Sequence, residues 1–252
     1  MLQDNVDGVP EPEFVRGVLE NISRLFPALR TVQLDGVNND ILETLEENPV
    51  VLNLITLLRI RKCPRLLDLA AGMPSLGTLE FDCFPLERSP GVGLRTLTVL
   101  KISRDIFRQC MDYEDLKAVL VAAPKLKELY LDKISVQVIK ARNDASSISE
   151  DQFLDLFRIA PHLRNLSVLA LNFSKESNLT ERTVFFLLEN CRNLRKVENL
   201  ITWSIGKDSL DPDLLRAKYG MGIVYGSRYH WSLHWRGEDG QFYDSEIPVD
   251  RF

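Results

Sequence analysis

One phrase of apolar and polar positions recurs along the chain: an apolar or small residue, Pro, any residue, Leu, two residues, an apolar residue, one residue, an apolar residue. It reads Phe26-Pro27-Ala28-Leu29 with Val32 and Leu34, Met73-Pro74-Ser75-Leu76 with Leu79 and Phe81, and Ala123-Pro124-Lys125-Leu126 with Leu129 and Leu131. A fourth copy is Ala160-Pro161-His162-Leu163 with Leu166 and Val168. Variants lacking that Pro are Ile55 with Leu58 and Ile60, Leu97 with Leu100 and Ile102, and Leu194 with Val197. The last two apolar residues stand two positions apart, so they leave a short strand on one face while the residue between them points away. No single strand buries such a face alone. The pattern therefore predicts seven strands stacked side by side in a parallel sheet, with helices or loops on the outer side closing a continuous core.

Helical patterns fill the spaces between. Glu13 to Phe26 carries Phe14, Val18, Leu19, Ile22, Leu25 and Phe26 on one stripe, and Asp112 to Ala123 carries Leu116, Val119, Leu120 and Ala123. Ser149-Glu150-Asp151-Gln152 reads as a capping box opening a helix to about Ala160, and Thr180 caps Glu181 to Asn190. Asp211-Pro212 starts a last helix closed by Gly220. Lys133 to Ser149, with its polar run from Arg142 to Ser147, reads as an exposed insertion.

Past Trp203 the pattern changes, because nine of the 21 aromatic residues fall in the last fifty positions. Tyr229, Trp231, Leu233 and Trp235 alternate with Arg228, His230, Ser232 and His234, the period of a strand with one apolar face. Residues 236–240 then supply a turn and Gln241-Phe242-Tyr243 a returning strand, a hairpin that covers the open end of the sheet. The chain divides accordingly into a capping helix (1–28), the recurring strands (29–205) and a C-terminal helix with a β-hairpin cap (206–252).

Composition narrows the function. With 252 residues, 45% hydrophobic and 27% charged, the chain has ample material for a core. Thirty-one Lys and Arg against 36 Asp and Glu leave a net charge of -5, without the cationic excess that nucleic acid demands. No apolar run approaches the roughly 20 residues of a membrane helix, and no leader pattern opens the chain, so a cytoplasmic or nuclear protein is expected. Cys63, Cys83, Cys110 and Cys191 form no C-x-x-C pair and read as reduced core residues. The sequons at Asn21, Asn165, Asn172 and Asn178 read as chance matches without a secretory route.

The phrases are spaced by 26, 21, 21, 29, 37 and 31 residues from Leu29 to Leu194. In spacing and in the A-P-x-L-x-x-L-x-L wording after a helix, residues 26 to 205 resemble leucine-rich repeats, in particular those of F-box leucine-rich-repeat proteins. The resemblance implies an α/β solenoid, a curved parallel sheet with outer helices and loops, an N-terminal helical cap and an aromatic C-terminal β cap. It also implies protein binding: in that family the repeats hold a substrate while an F-box bundle joins a cullin-RING ubiquitin ligase through a Skp1-type adaptor. Residues 1 to 28 hold one helix and no L-P-x-E opening, so a Skp1-type partner is expected only where an F-box lies upstream.

Outward strand residues then form columns. The middle one reads Gln33, Arg59, Glu80, Lys101, Tyr130 and Ser167; Thr31, Leu57, Thr78, Val99, Glu128 and Asn165 flank it on one side, and Asp35, Arg61, Asp82, Ser103 and Asp132 on the other. Strands about 4.8 Å apart let Arg59, Glu80 and Lys101 pair with one another, as a solvated ladder would. Tyr and Arg are the types enriched at binding hot spots, which makes Arg59, Arg61, Lys101 and Tyr130 the candidate partner-binding residues. Enzymatic readings lack a motif: His162, His230 and His234 have no matching partner, and residues four apart on a strand stand roughly 13 Å apart, too far for joint zinc ligation. No cofactor, metal or catalytic residue is expected. The alternatives are a free-standing inhibitor or scaffold resembling ribonuclease-inhibitor-like solenoids, and a small-ligand site built from Trp231, Trp235 and Tyr243.

Overall fold

The computed structural model of the chain describes residues 17, 21, 28, 30–34, 52–53, 55–60, 66–82, 93–103, 111–134, 136–137, 148–173, 178–206, 209–225 and 231–235. The strands are β1 (Thr31–Leu34), β2 (Leu57–Ile60), β3 (Thr78–Asp82), β4 (Val99–Ser103), β5 (Met111–Asp112), β6 (Glu128–Ile134), β7 (Val136–Gln137), β8 (Val168–Phe173), β9 (Lys196–Glu198), β10 (Met221–Tyr225) and β11 (Trp231–Trp235). The helices are α1 (Leu66–Ala71), α2 (Tyr113–Ala122), α3 (Glu150–Ile159), α4 (Glu181–Asn190) and α5 (Pro212–Tyr219). Among the described residues the main sheet has nine strands in the order β1-β2-β3-β4-β6-β8-β9-β11-β10, and β5 pairs with β7 in a second, small sheet. The protein is therefore α/β, and the strands from β1 to β9 in the main sheet run parallel in chain order.

One hydrogen-bond arrangement ties each strand to the one before it. A single carbonyl just ahead of a strand accepts from two successive N–H groups of the next, at 2.7 to 3.2 Å. The acceptors are Arg30, Thr56, Gly77, Thr98, Lys127 and Ser167, each using both lone pairs. Where the donor residue is Thr56, Thr98 or Ser167, its hydroxyl also reaches that carbonyl at 3.1 Å. A tight turn precedes each strand: Leu76, Leu97, Leu126 and Leu194 donate to the carbonyl three residues back. Pro74 and Pro124 preset the φ that the second position of such a turn needs.

The inward leucines follow directly. Leu58, Leu79, Leu100, Leu129, Leu169, Val197 and Leu233 stand in register across seven neighbouring strands and are each at most 2% exposed. Each such burial contributes on the order of 1.5 to 3 kcal/mol before entropy is counted. Phe153, Leu156 and Phe157 of α3 and Val184 and Leu187 of α4 cover this row from the other side.

The helix boundaries follow the caps. Ser149 and Gln152 form a complete capping box on α3, with Ser149 N–H donating to Gln152 Oε1 at 2.9 Å and Gln152 N–H to Ser149 Oγ at 3.2 Å. Thr180 caps α4, Asp211 caps α5, and Gly220 ends α5 at φ 64°, a left-handed conformation suited to glycine. Gly17 and Asn21 are helical, as the N-terminal stripe predicts, and Asn21 Nδ2 donates to Gly17 O at 2.7 Å; the other residues from 13 to 26 lie outside the described residues.

Two expectations are corrected. The fourth phrase does not start its strand at Leu166 and Val168: residues Pro161–Asn165 form an extra 3-10 turn in which Leu163 donates to Ala160 and Leu166 to Leu163. The turn consumes three residues, so the strand phrase is Leu166-x-x-Leu169-x-Leu171, Tyr130 faces Ala170 instead of Ser167, and Glu128 faces Val168 instead of Asn165. The hairpin is also different. Strand β11 pairs antiparallel with β10 on one edge and with β9 on the other, so the preceding segment Met221–Tyr225 is its hairpin partner. That turn and returning segment, and the polar run 142–147, lie outside the described residues. The insertion itself begins as structure, with β6 continuing to Ile134 and β7 pairing with β5.

Candidate functional site

Register places Gln33, Arg59, Glu80, Lys101 and Tyr130 opposite one another on five successive strands, followed by Ala170 and Glu198. From Arg59 onward, alternation sends the side chains of this row to the face opposite the leucine row. Glu80 lies low in the row at 8% exposure. The Arg59 guanidinium bonds one of its carboxylate oxygens, and Lys101 Nζ lies 2.8 Å from the other. The two cations remain 40% and 34% exposed at the side chain, against 11% for Glu80, so the anion sits beneath and the cations above.

Tyr130 continues the row. Its ring centroid is 5.5 Å from Lys101 Nζ, and its hydroxyl donates to Glu128 Oε2 at 3.0 Å. Burial, and then the charge and hydrogen bond of Glu128, push its phenol well above the ordinary value, so Tyr130 stays a protonated donor. Farther along, Lys196 Nζ pairs with Glu198 Oε1 at 2.6 Å, and Asn172 Nδ2 donates to Asp132 Oδ1 at 2.8 Å.

The two halves of the face differ in access. Val168, Ala170 and His234 point to this face yet are 7%, 4% and 4% exposed, and the Lys196 side chain is 16% exposed. Over β2, β3 and β4 the outward Leu57, Thr78 and Val99 are half-buried, and Arg59 and Lys101 stand out to solvent. The open part of the face therefore carries Arg59 and Lys101, with the half-buried Tyr130 at its border.

Three of the four predicted site residues, Arg59, Lys101 and Tyr130, are brought together in one row; Arg61 lies outside the described residues. Sequence reasoning missed Ala170, which the L-x-x-L-x-L spacing at Leu166, Leu169 and Leu171 would have found, and Lys196 and Glu198, which flank Val197 in the phrase that starts at Leu194. It placed His234 on the polar face of its strand. On that face it is buried, with Nε2 2.8 Å from Ser232 Oγ and Lys196 opposite it in register.

Other candidates are engaged elsewhere. Trp235 is half-buried against the core with the Arg195 guanidinium 5.5 Å from its ring, and Tyr243 lies outside the described residues. His162 Nε2 binds the Leu120 carbonyl near the end of α2 at 2.9 Å. Cys191 is 2% exposed, and burial pushes its thiol up to about 12. On the helix side an open groove runs between α3 and α4 beside Leu154 and Phe185. Two ion pairs lie within it, Arg158 with Asp155 at 2.7 Å and Arg182 with Asp151 at 3.0 Å. Among the described residues no group of three or more His, Cys, Asp or Glu is placed to hold a metal ion, and no helix is long and apolar enough to cross a membrane. Compared with protein-family models and with curated proteins, the chain matches none.

Proposed function

We propose that the chain is a leucine-rich-repeat solenoid acting as a non-enzymatic protein-binding module, and that a protein partner docks on the open sheet face at Arg59, Lys101 and Tyr130. The observation that carries this reading is the unbroken register Arg59, Glu80, Lys101, Tyr130 across four neighbouring strands, with both cations partly exposed and Tyr130 half-buried beside them. Arg and Tyr held by fixed neighbours lose little freedom on binding, which is what a hot spot requires. The shared-carbonyl arrangement from Arg30 to Ser167 supports the solenoid reading, because each strand is laid on its predecessor by the same backbone contact.

Affinity capture with the chain and with an Arg59→Ala, Lys101→Ala, Tyr130→Ala variant tests this proposal. Proteins retained by the former and lost from the latter dock on the face; identical recovery rejects it. A Skp1-type adaptor with a cullin among the proteins retained marks a ligase subunit, and a stoichiometric enzyme with neither marks an inhibitor.

A further inference from the structure

The outward row next to the candidate site changes character halfway along the sheet. In register it reads Thr78, Val99, Glu128, Val168, Lys196 and His234. Thr78, Val99 and Glu128 are half-buried, whereas Val168 is 7% and His234 4% exposed. Val99 and Val168 are the same residue type in the same row, so side-chain type does not account for the difference. On its far side His234 faces Gly222, which offers no side chain to shelter it. The five helices bury Leu69, Leu116, Phe153, Val184 and Leu215 in the core on the leucine side, so none of them lies over this face.

We infer that residues 236–252, which lie outside the described residues, fold back over this half of the face and occupy it in cis. The register sets the direction: β11 runs antiparallel to β9 and Trp235 N–H donates to Arg195 O at 2.7 Å, so the chain leaves β11 at the edge where β8 and β9 begin. Shelter is deepest toward that edge. The Lys196 side chain is 16% exposed and Glu198, two residues on, 29%; on β8, Val168 and Ala170 are buried while Asn172 is half-buried. Strands β3, β4, β6 and β8 end at the opposite edge, and the β10–β11 connection lies there too. Reach is ample, because β8 is two strand spacings, about 10 Å, from β11, and 17 residues extend to about 50 Å. Arg236-Gly237-Glu238-Asp239-Gly240 supplies the reversal, and Phe242, Tyr243, Ile247 and Val249 supply apolar area for Val168 and Ala170. Apolar burial, not charge, selects this occupant. The half of the face at Arg59 and Lys101 stays open, and the inference holds whether or not a partner docks there.

Iodoacetamide labelling of Val168→Cys and of Val99→Cys, each with Cys63, Cys83 and Cys110 replaced by Ser, provides the test. In the full chain Val168→Cys is expected to react at least about tenfold more slowly than Val99→Cys. In a chain ending at Gly240 the two should react alike, with Cys191 still silent as the sign that the shortened chain is folded. In the full chain, Phe242→Ser combined with Tyr243→Ser is expected to speed Val168→Cys at least about fivefold and to leave Val99→Cys unchanged; this variant decides the matter where the shortened chain does not fold. Equal reactivity of the two cysteines in the full chain overturns the inference. So does a Val168→Cys that stays slow in the folded shortened chain or in the Phe242→Ser, Tyr243→Ser variant, which would assign the shelter to something other than this segment.

Discussion

Glu150, the first residue of α3, caps the neighbouring helix α4: its Oε1 accepts from Thr183 Oγ1 at 2.6 Å, where Thr183 is fully buried. The same oxygen accepts from Thr180 N–H, Thr180 Oγ1 and Thr183 N–H at 3.0, 2.8 and 3.2 Å. Partial burial alone would raise the Glu150 carboxyl, but the Thr183 and Thr180 hydrogen bonds and the Arg182 charge outweigh it and hold the group below its ordinary value. A carboxyl lowered on folding contributes stability that is complete above its unfolded value, roughly 4.3, and is lost as pH falls through the lower folded value. Glu150→Ala should cost about 1 to 3 kcal/mol at pH 7, read from urea unfolding. The difference between wild type and Glu150→Gln should shrink as pH is lowered from 7 toward 3; a difference that stays constant counts against the assignment.

The two faces of one strand should respond oppositely to truncation. Leu100 is fully buried between Leu79 and Leu129, so Leu100→Ala should cost about 2 to 5 kcal/mol. Lys101, next in sequence, faces solvent, and Lys101→Ala should stay within about 1 kcal/mol of wild type. Denaturant midpoints of the two variants decide it, and similar losses would mean the alternation is misassigned.

Cys191 should be chemically silent in the folded protein. Its thiol is buried, its Sγ lies 3.9 Å from the Leu163 carbonyl, and its raised value leaves almost no thiolate at neutral pH. With Cys63, Cys83 and Cys110 replaced by Ser, a thiol reagent should label the chain only as urea unfolds it. Labelling at the rate of a free thiol in buffer would contradict this.

Gly220 holds a conformation that side chains resist, at φ 64°, while the space around its missing Cβ is ordinary, the nearest atom being Trp235 Nε1 at 3.5 Å. Gly220→Ala should therefore destabilise by about 1 kcal/mol through backbone strain alone, and Gly220→Asn by less. Thermal unfolding of the pair checks the ordering.

Most of the sheet was legible because its signal is redundant: Leu79, Leu100 and Leu129 are each fixed by period-two alternation and by the turn leucine three residues earlier. Helices α3, α4 and α5 were legible from their caps, Ser149 with Gln152, Thr180, and Asp211 with Gly220. The register at Ala170 was not. Leu163 and Leu166 both satisfy the turn position, and the choice between them depends on whether an additional 3-10 turn packs, which only the tertiary structure decides. The β10 strand was missed because Met221 to Tyr225 shows no alternation, being held by its pairing to β11. In the candidate site, the contact of Glu80 with both Arg59 and Lys101 followed from spacing alone. Glu150 as a cap for α4 was invisible because it joins residues 30 and 33 positions apart on two helices.

The account turns on Tyr130 belonging to a docking surface and not to the framework that holds the sheet together. Titration calorimetry of a captured partner against wild type and Tyr130→Ala, with thermal unfolding of both proteins alone, measures this directly. The expected result is an affinity loss of more than about 1 kcal/mol with an unfolding midpoint nearly unchanged. Equal affinity for the two proteins, or a loss of affinity matched by a loss of stability, would contradict it.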